Sequence, residues 1–153
     1  MRNCLRKFKN EPGFTLIELL VVIGILAILL AIVLIAINPA RQFGQANNTR
    51  RRSDVTQLLN AIGAYAADNA GVLPAGITAT TSAVSDTGAD LCADLVQNYI
   101  PALPQDPQVG TGTQIIDCVS PYDTGYTVSR DAGNRVTVTA PLAENGEVIS
   151  NTR

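Results

Sequence analysis

Residues Asn10 to Ile37 read NEPGFTLIELLVVIGILAILLAIVLIAI. Between Phe14 and Ile37 every residue but a few is apolar, and Glu18 is the only charged one. As a helix those 24 residues would reach about 36 Å, enough to cross a hydrocarbon core of about 30 Å. Glu18 looks misplaced there. A carboxylate inside a bilayer costs roughly 2.5–3.5 kcal/mol on insertion scales, and such a residue normally has a partner. The identity of that partner decides what the segment is for.

A cleaved secretory signal is a poor match, because its apolar core spans only about 7–15 residues before a small-residue cleavage site. Here the uncharged run from Leu19 to Ala40 covers 22 residues with no such site behind it. A plain anchor fits the length. Arg2, Arg6, Lys7 and Lys9 precede the run, so the positive-inside rule predicts a cytoplasmic N-terminus and an exported remainder. A plain anchor explains neither PGFTLIE nor Glu18. A cut after Gly13 would free the α-amino group of Phe14, a cation suited in charge to Glu18 within one chain or between neighbours. Gly13 suits close approach by a protease, having no side chain.

The basic leader followed by GFTLIELLVVIGILAIL closely resembles the precursor leader and N-terminal helix of type IV pilins and type II secretion pseudopilins. The resemblance covers about Lys7 to Ile37. It implies cleavage between Gly13 and Phe14 by a membrane-embedded prepilin peptidase and N-methylation of Phe14. It further implies that Glu18 neutralises the terminal amine of a neighbouring subunit as copies stack into a filament. An ion pair inside a helix bundle is tolerable, whereas an unpaired charge there is strongly destabilising.

The rest of the chain divides by charge. The first 13 residues carry net +3 and the remainder −5, with 7 basic and 12 acidic groups. An acidic exterior without a basic stripe argues against nucleic acid as a partner. Arg50-Arg51-Arg52 is the one basic cluster outside the leader, and it reads as a solvated or headgroup-facing patch. The chain has no histidine, which removes Ser-His-Asp and Cys-His systems and the commonest metal ligand. No nucleophile motif or phosphate-binding glycine loop is present, so no catalytic residue is assigned. The three cysteines at 4, 92 and 118 form no CxxC pair for zinc or redox chemistry.

Downstream, Asn38-Pro39 interrupts the apolar run, and proline suits the first turn of a new helix. Val55, Leu58, Leu59, Ile62, Tyr65 and Ala66 recur at the spacing of one helical face, which predicts an amphipathic helix over 39–68. Gly76 to Gly88 is small and polar and reads as a surface loop. ADLCADLVQNYI suggests a short helix, TQIIDCV a strand, and GYTVSRDAGNRVTVTA a β-hairpin. GEVIS suggests a further strand. The fold expected is α+β: a long N-terminal helix, transmembrane in its first half, packed through its second half on a small antiparallel sheet, as in pilins. The corresponding segments are a leader (1–13), a transmembrane and assembly helix (14–37), its amphipathic continuation (38–70) and a globular head (71–153).

In an exported head, Cys92 and Cys118 are expected to form a disulfide. Closing a loop of about 27 residues would contribute roughly 3–4 kcal/mol on the entropy model. Asp117, Asp123, Asp131, Asn134, Glu144 and Glu147 supply oxygen ligands in the tail. Their spacing is not that of an EF-hand, so they read as solvated loop acids, with calcium a lesser alternative and no other metal or cofactor expected. The resulting expectation is a structural subunit. Its partners would be other copies of itself, the prepilin peptidase, membrane lipid, and an inner-membrane assembly platform driven by a cytoplasmic ATPase. Assembled, it would lie at the cell surface or in the periplasm. A pseudopilin of type II secretion is the alternative, favoured by LPQDPQ at 103–108. A monomeric bitopic protein displaying a small binding domain is the rival from another class.

Overall fold

The computed structural model describes residues 13–36 and 38–153. The expected leader, apart from Gly13, lies outside the described residues, as do Cys4 within it and Ile37 at the end of the expected membrane segment. The chain divides into two compact units, Met1–Pro39 and Ala40–Arg153.

In the first unit, helix α1 spans Leu16–Ala36. Its 21 residues contain one glycine, Gly24, and no proline, and none of its side chains is buried by the chain itself. Unbroken Leu, Ile, Val and Ala favour it once the backbone must satisfy its own hydrogen bonds. Asn38 follows with a left-handed backbone (φ 43°), a conformation asparagine tolerates better than most. Helix α2, Pro39–Asp68, then starts on proline, whose missing N–H is no loss in a first turn.

In the second unit, α2 buries Asn48, Arg51, Val55, Leu58, Leu59 and Ile62 on one face. Its apolar members, Val55, Leu58, Leu59 and Ile62, join the inward residues of a four-stranded antiparallel sheet in one core. The sheet runs in the order β1 (Ser82–Ser85), β2 (Asp123–Arg130), β3 (Val136–Ala140), β4 (Ile149–Thr152). Alternation sets the faces. Tyr126 and Val128 of β2, Val136 and Val138 of β3, and Ile149 of β4 are buried. Thr127 lies opposite Thr139 and Ser129 opposite Thr137 on the other face. The hairpin turn closes through Asn134, whose N–H donates to the Asp131 carbonyl (3.0 Å) and whose φ is 64°.

Three expectations change. Gly76 to Gly88 is not all loop, because Ser82–Ser85 forms edge strand β1, with Ala83 opposite Thr127. Thr113 to Val119 is not a strand; its pairing is a single bridge between Ile115 and Leu103. Ile116 and Val119 are exposed there, so this apolar run has no face to cover. The last strand begins at Ile149 rather than at Gly146, since Asn145 and Gly146 both take positive φ and form a turn. The short helix α3 is Cys92–Leu95, and Cys92 is joined to Cys118 (Cα–Cα 5.4 Å). That bond fastens the exposed 113–121 loop to the buried start of α3.

Candidate functional site

The start of α1 is built by two residues three apart. The Thr15 backbone N–H donates to Glu18 Oε2 (2.9 Å), and the Thr15 hydroxyl donates to the same oxygen (2.7 Å). In return the Glu18 N–H donates to Thr15 Oγ1 (3.2 Å). The Thr15 carbonyl accepts the first helical bond, from Leu19 (3.3 Å). This is a reciprocal capping box, which satisfies otherwise orphaned donors at a helix start. A carboxylate in the first turn also meets the positive end of the helix dipole. The T-x-x-E spacing at 15–18 is the sequence signal for it, and sequence reading that follows Glu18 alone passes over Thr15.

Two properties matter for what the arrangement can do. Both bonds from Thr15 fall on Oε2, and among the described residues Oε1 has no partner. Gly13 and Phe14 lie immediately ahead of the cap, both exposed. The structure therefore brings Gly13, Phe14 and Glu18 to one end of α1. It holds a carboxylate in a fixed pose, with both Thr15 bonds on one of its two oxygens. It belongs to α1, whose 21 residues form the one helix among the described residues long and apolar enough to cross a membrane.

In the arginine triplet on α2, Arg50 and Arg52 are exposed as expected of a solvated patch, but Arg51 is not, and this corrects the expectation for it. Arg51 has no exposed side-chain surface. Its Nε and Nη2 donate to Asp106 (2.6 and 3.0 Å), and its Nη1 donates to Asn48 Oδ1 (3.0 Å) and Glu144 Oε2 (2.9 Å). These hydrogen bonds and charges, those of Asp106 first, hold the guanidinium above its ordinary value against the opposing effect of burial. Arg50 reaches the Gly112 carbonyl (2.6 Å) and Arg52 reaches Glu147 (2.5 Å). Arg50 and Arg51 thus tie residues 105–112 to α2, and Arg51 and Arg52 tie residues 144–147 to it. The 51/55/58/62 spacing puts Arg51, rather than Arg50 or Arg52, in line with the apolar face of α2, a signal that the expectation of a solvated patch passes over; its partner Asp106 is 55 residues away.

The acidic side chains weighed as oxygen ligands are distributed among separate duties. Glu144 accepts from Asn47, Arg51 and Gln108, which together hold its carboxyl below the ordinary range, Asn47 contributing most. Glu147 pairs with Arg52. Asp131 binds the backbone and guanidinium of Arg135, Asp117 caps Val119 and Ser120, and Asp123 accepts from Gly125 N–H. Among the described residues no three His, Cys, Asp or Glu side chains converge on one point. Asp54 is a different case. Burial raises its pKa, while a hydrogen bond from Tyr126 Oη (2.8 Å) opposes that rise.

Comparison with known proteins adds one match. A search of curated proteins and a search of solved structures each find no match to the chain. A family model described as the prokaryotic N-terminal methylation motif matches residues 8–34, which contain Gly13, Phe14, Thr15, Glu18 and most of α1. The chain therefore carries the precursor signal of type IV pilins and pseudopilins.

Proposed function

We propose that this chain is the structural subunit of a type IV pilus-like filament. It is made as a membrane-anchored precursor with its N-terminus in the cytoplasm. Prepilin peptidase cleaves it after Gly13 and methylates the new amine of Phe14. Copies then polymerise through α1, handled by an inner-membrane platform and a cytoplasmic ATPase. The observation that carries this reading is the methylation motif lying across a fully exposed apolar helix whose one charge is Glu18.

The physics of assembly follows from the capping box. Thr15 holds the carboxylate by Oε2, and among the described residues Oε1 is left for a cation from outside the chain. The Phe14 amine of a neighbour is such a cation, and it exists only after cleavage. An uncleaved chain has no amine at position 14 and cannot make the pair. Cleavage is thereby coupled to polymerisation by charge. Once helices bundle and water leaves, an unpaired partner costs several kcal/mol, so subunits in register are favoured over misaligned ones.

Mass spectrometry of the protein from its native membrane tests this reading. It should show a chain beginning at Phe14 and heavier by one methyl group. A chain beginning at Met1 would support the monomeric bitopic reading instead. The pseudopilin alternative rests on the LPQDPQ stretch, and electron microscopy separates the two: long surface fibres mark a pilin, their absence a secretion pseudopilus.

A further inference from the structure

The two edges of the sheet are treated differently by the chain. On the β1 side the Ala89 N–H donates to the Ala83 carbonyl (2.7 Å), and Gly88 lies so close to that oxygen that a Cβ there would collide with it. The β1 edge is closed by its own turn. On the β4 side nothing comparable occurs. Val136 and Arg153 exchange both backbone bonds (2.8 and 2.9 Å), and residues pair Thr137 with Thr152, Val138 with Asn151, and Thr139 with Ser150. In an antiparallel ladder the bonded pairs alternate. Ser150 and Thr152 therefore turn their N–H and C=O groups away from β3. Among the described residues no group meets them.

An open edge is a template for another strand, and proteins usually protect it with charge, proline or a bulge. β4 is short, at four residues, but Ser150-Asn151-Thr152 carries no charge, proline or bulge, and all three are exposed. Beside it, Val148 is 87% exposed. Shallow clefts of about 270 Å³ each, lined by Thr56 and Asn151, separate this strand from α2, so access from the helix side is open.

We propose that the free edge of β4 pairs with β4 of a second copy, antiparallel about a two-fold axis through Asn151. The edge is complementary to itself. Ser150 of one copy would face Thr152 of the other, and each such pair exchanges two bonds, four in all. Asn151 would face Asn151 as the non-bonded pair between them, at about 4.5 Å between Cα atoms. Such a two-fold contact is isologous and joins two copies only. If the subunit role proposed above holds, this pair joins subunits of neighbouring filaments. Four bonds on a four-residue strand make a weak contact singly. Repetition along two polymers makes it strong, because each bond formed raises the effective concentration for the next.

Cross-linking of the full-length chain in detergent tests the pairing, in a Cys4→Ser background with the Cys92–Cys118 bond kept. Asn151→Cys should form an intermolecular disulfide at least about tenfold faster than Ala132→Cys on the hairpin turn, since only a seated pair brings Cα atoms within bridging distance. Adding Thr152→Pro deletes one outward N–H and leaves the β3 ladder its bonds; the rate should fall to that of the control. Equal rates for Asn151→Cys and Ala132→Cys, or rapid cross-linking that survives Thr152→Pro, would overturn the proposal. This readout needs no filament, so its failure is distinct from failure of the subunit role.

Discussion

Arg51 on α2 and Asp106 in the 103–109 turn form a forked ion pair from which water is excluded, with both side chains wholly buried. Asp106 also accepts the Gln108 N–H (2.9 Å), while its own N–H donates to the Thr124 carbonyl (2.8 Å). The pair therefore connects the helix, the turn and β2.

Breaking such a pair from one side leaves an uncompensated buried charge, at about 3–5 kcal/mol. Arg51→Met should lower the Tm by more than about 10 °C, given about 4–8 °C per kcal/mol in a domain near this size. Arg50→Met and Arg52→Met, which lose exposed contacts, should stay within about 0.5–1 kcal/mol of the parent. Thermal unfolding of the three variants checks the ranking.

Asp54 and Glu144 should pull the acid limb of stability in opposite directions. The Glu144 pKa is lowered in the fold, so its contribution is complete above its unfolded value and fades as pH falls through the folded one. The Asp54 pKa is raised, so its contribution is complete below its unfolded value and fades as pH rises through the folded one. Asp54→Asn should therefore be neutral or stabilising at pH 7, and Tyr126 still finds an oxygen acceptor. Glu144→Gln should be destabilising at pH 7 and less so at pH 3. Denaturant midpoints at the two pH values decide both.

Removal of the Cys92–Cys118 bond should cost about 2–5 kcal/mol. Since the bond fastens 113–121 to α3, the Cys92→Ala/Cys118→Ala variant should be cut first by protease within 113–121, at a rate well above the parent. Equal cleavage rates would show that the loop is held by other contacts.

Much of this fold is legible along the chain because its patterns are local. The apolar repeat from Val55 to Ile62 marks α2, and the Tyr126/Val128 and Val136/Val138 alternations mark the hairpin. What is not legible depends on distant partners. Ser82–Ser85 has no strong strand signal and becomes β1 because Thr127 and Val128 lie beside it. Ile115 and Ile116 carry the signal but lack a neighbouring strand. Arg51 stands in line with Val55, Leu58 and Ile62, so its inward turn is readable from spacing, whereas its partner Asp106, 55 residues away, is not. At the start of α1, Gly13, Phe14 and Glu18 stand out in the sequence, whereas the supporting part of Thr15 emerges from its hydrogen bonds.

Thr15 gives a graded test of the cap. Thr15→Ser keeps the hydroxyl and should assemble like the parent. Thr15→Val loses about 1 kcal/mol of capping and frees the carboxylate from its pose. Filament yield should fall in the valine variant with membrane insertion unchanged. Equal yields from both would remove any positioning role for the hydroxyl.

The most direct measurement is filament yield from Glu18→Gln in cells carrying the assembly machinery. Glutamine serves a capping box as glutamate does, so this change removes the charge and keeps the cap. With attraction between Glu18 and a neighbour's Phe14 amine driving assembly, the variant should insert and be cleaved after Gly13 at parental levels, yet yield few or no filaments. Parental filament yield from Glu18→Gln would contradict it.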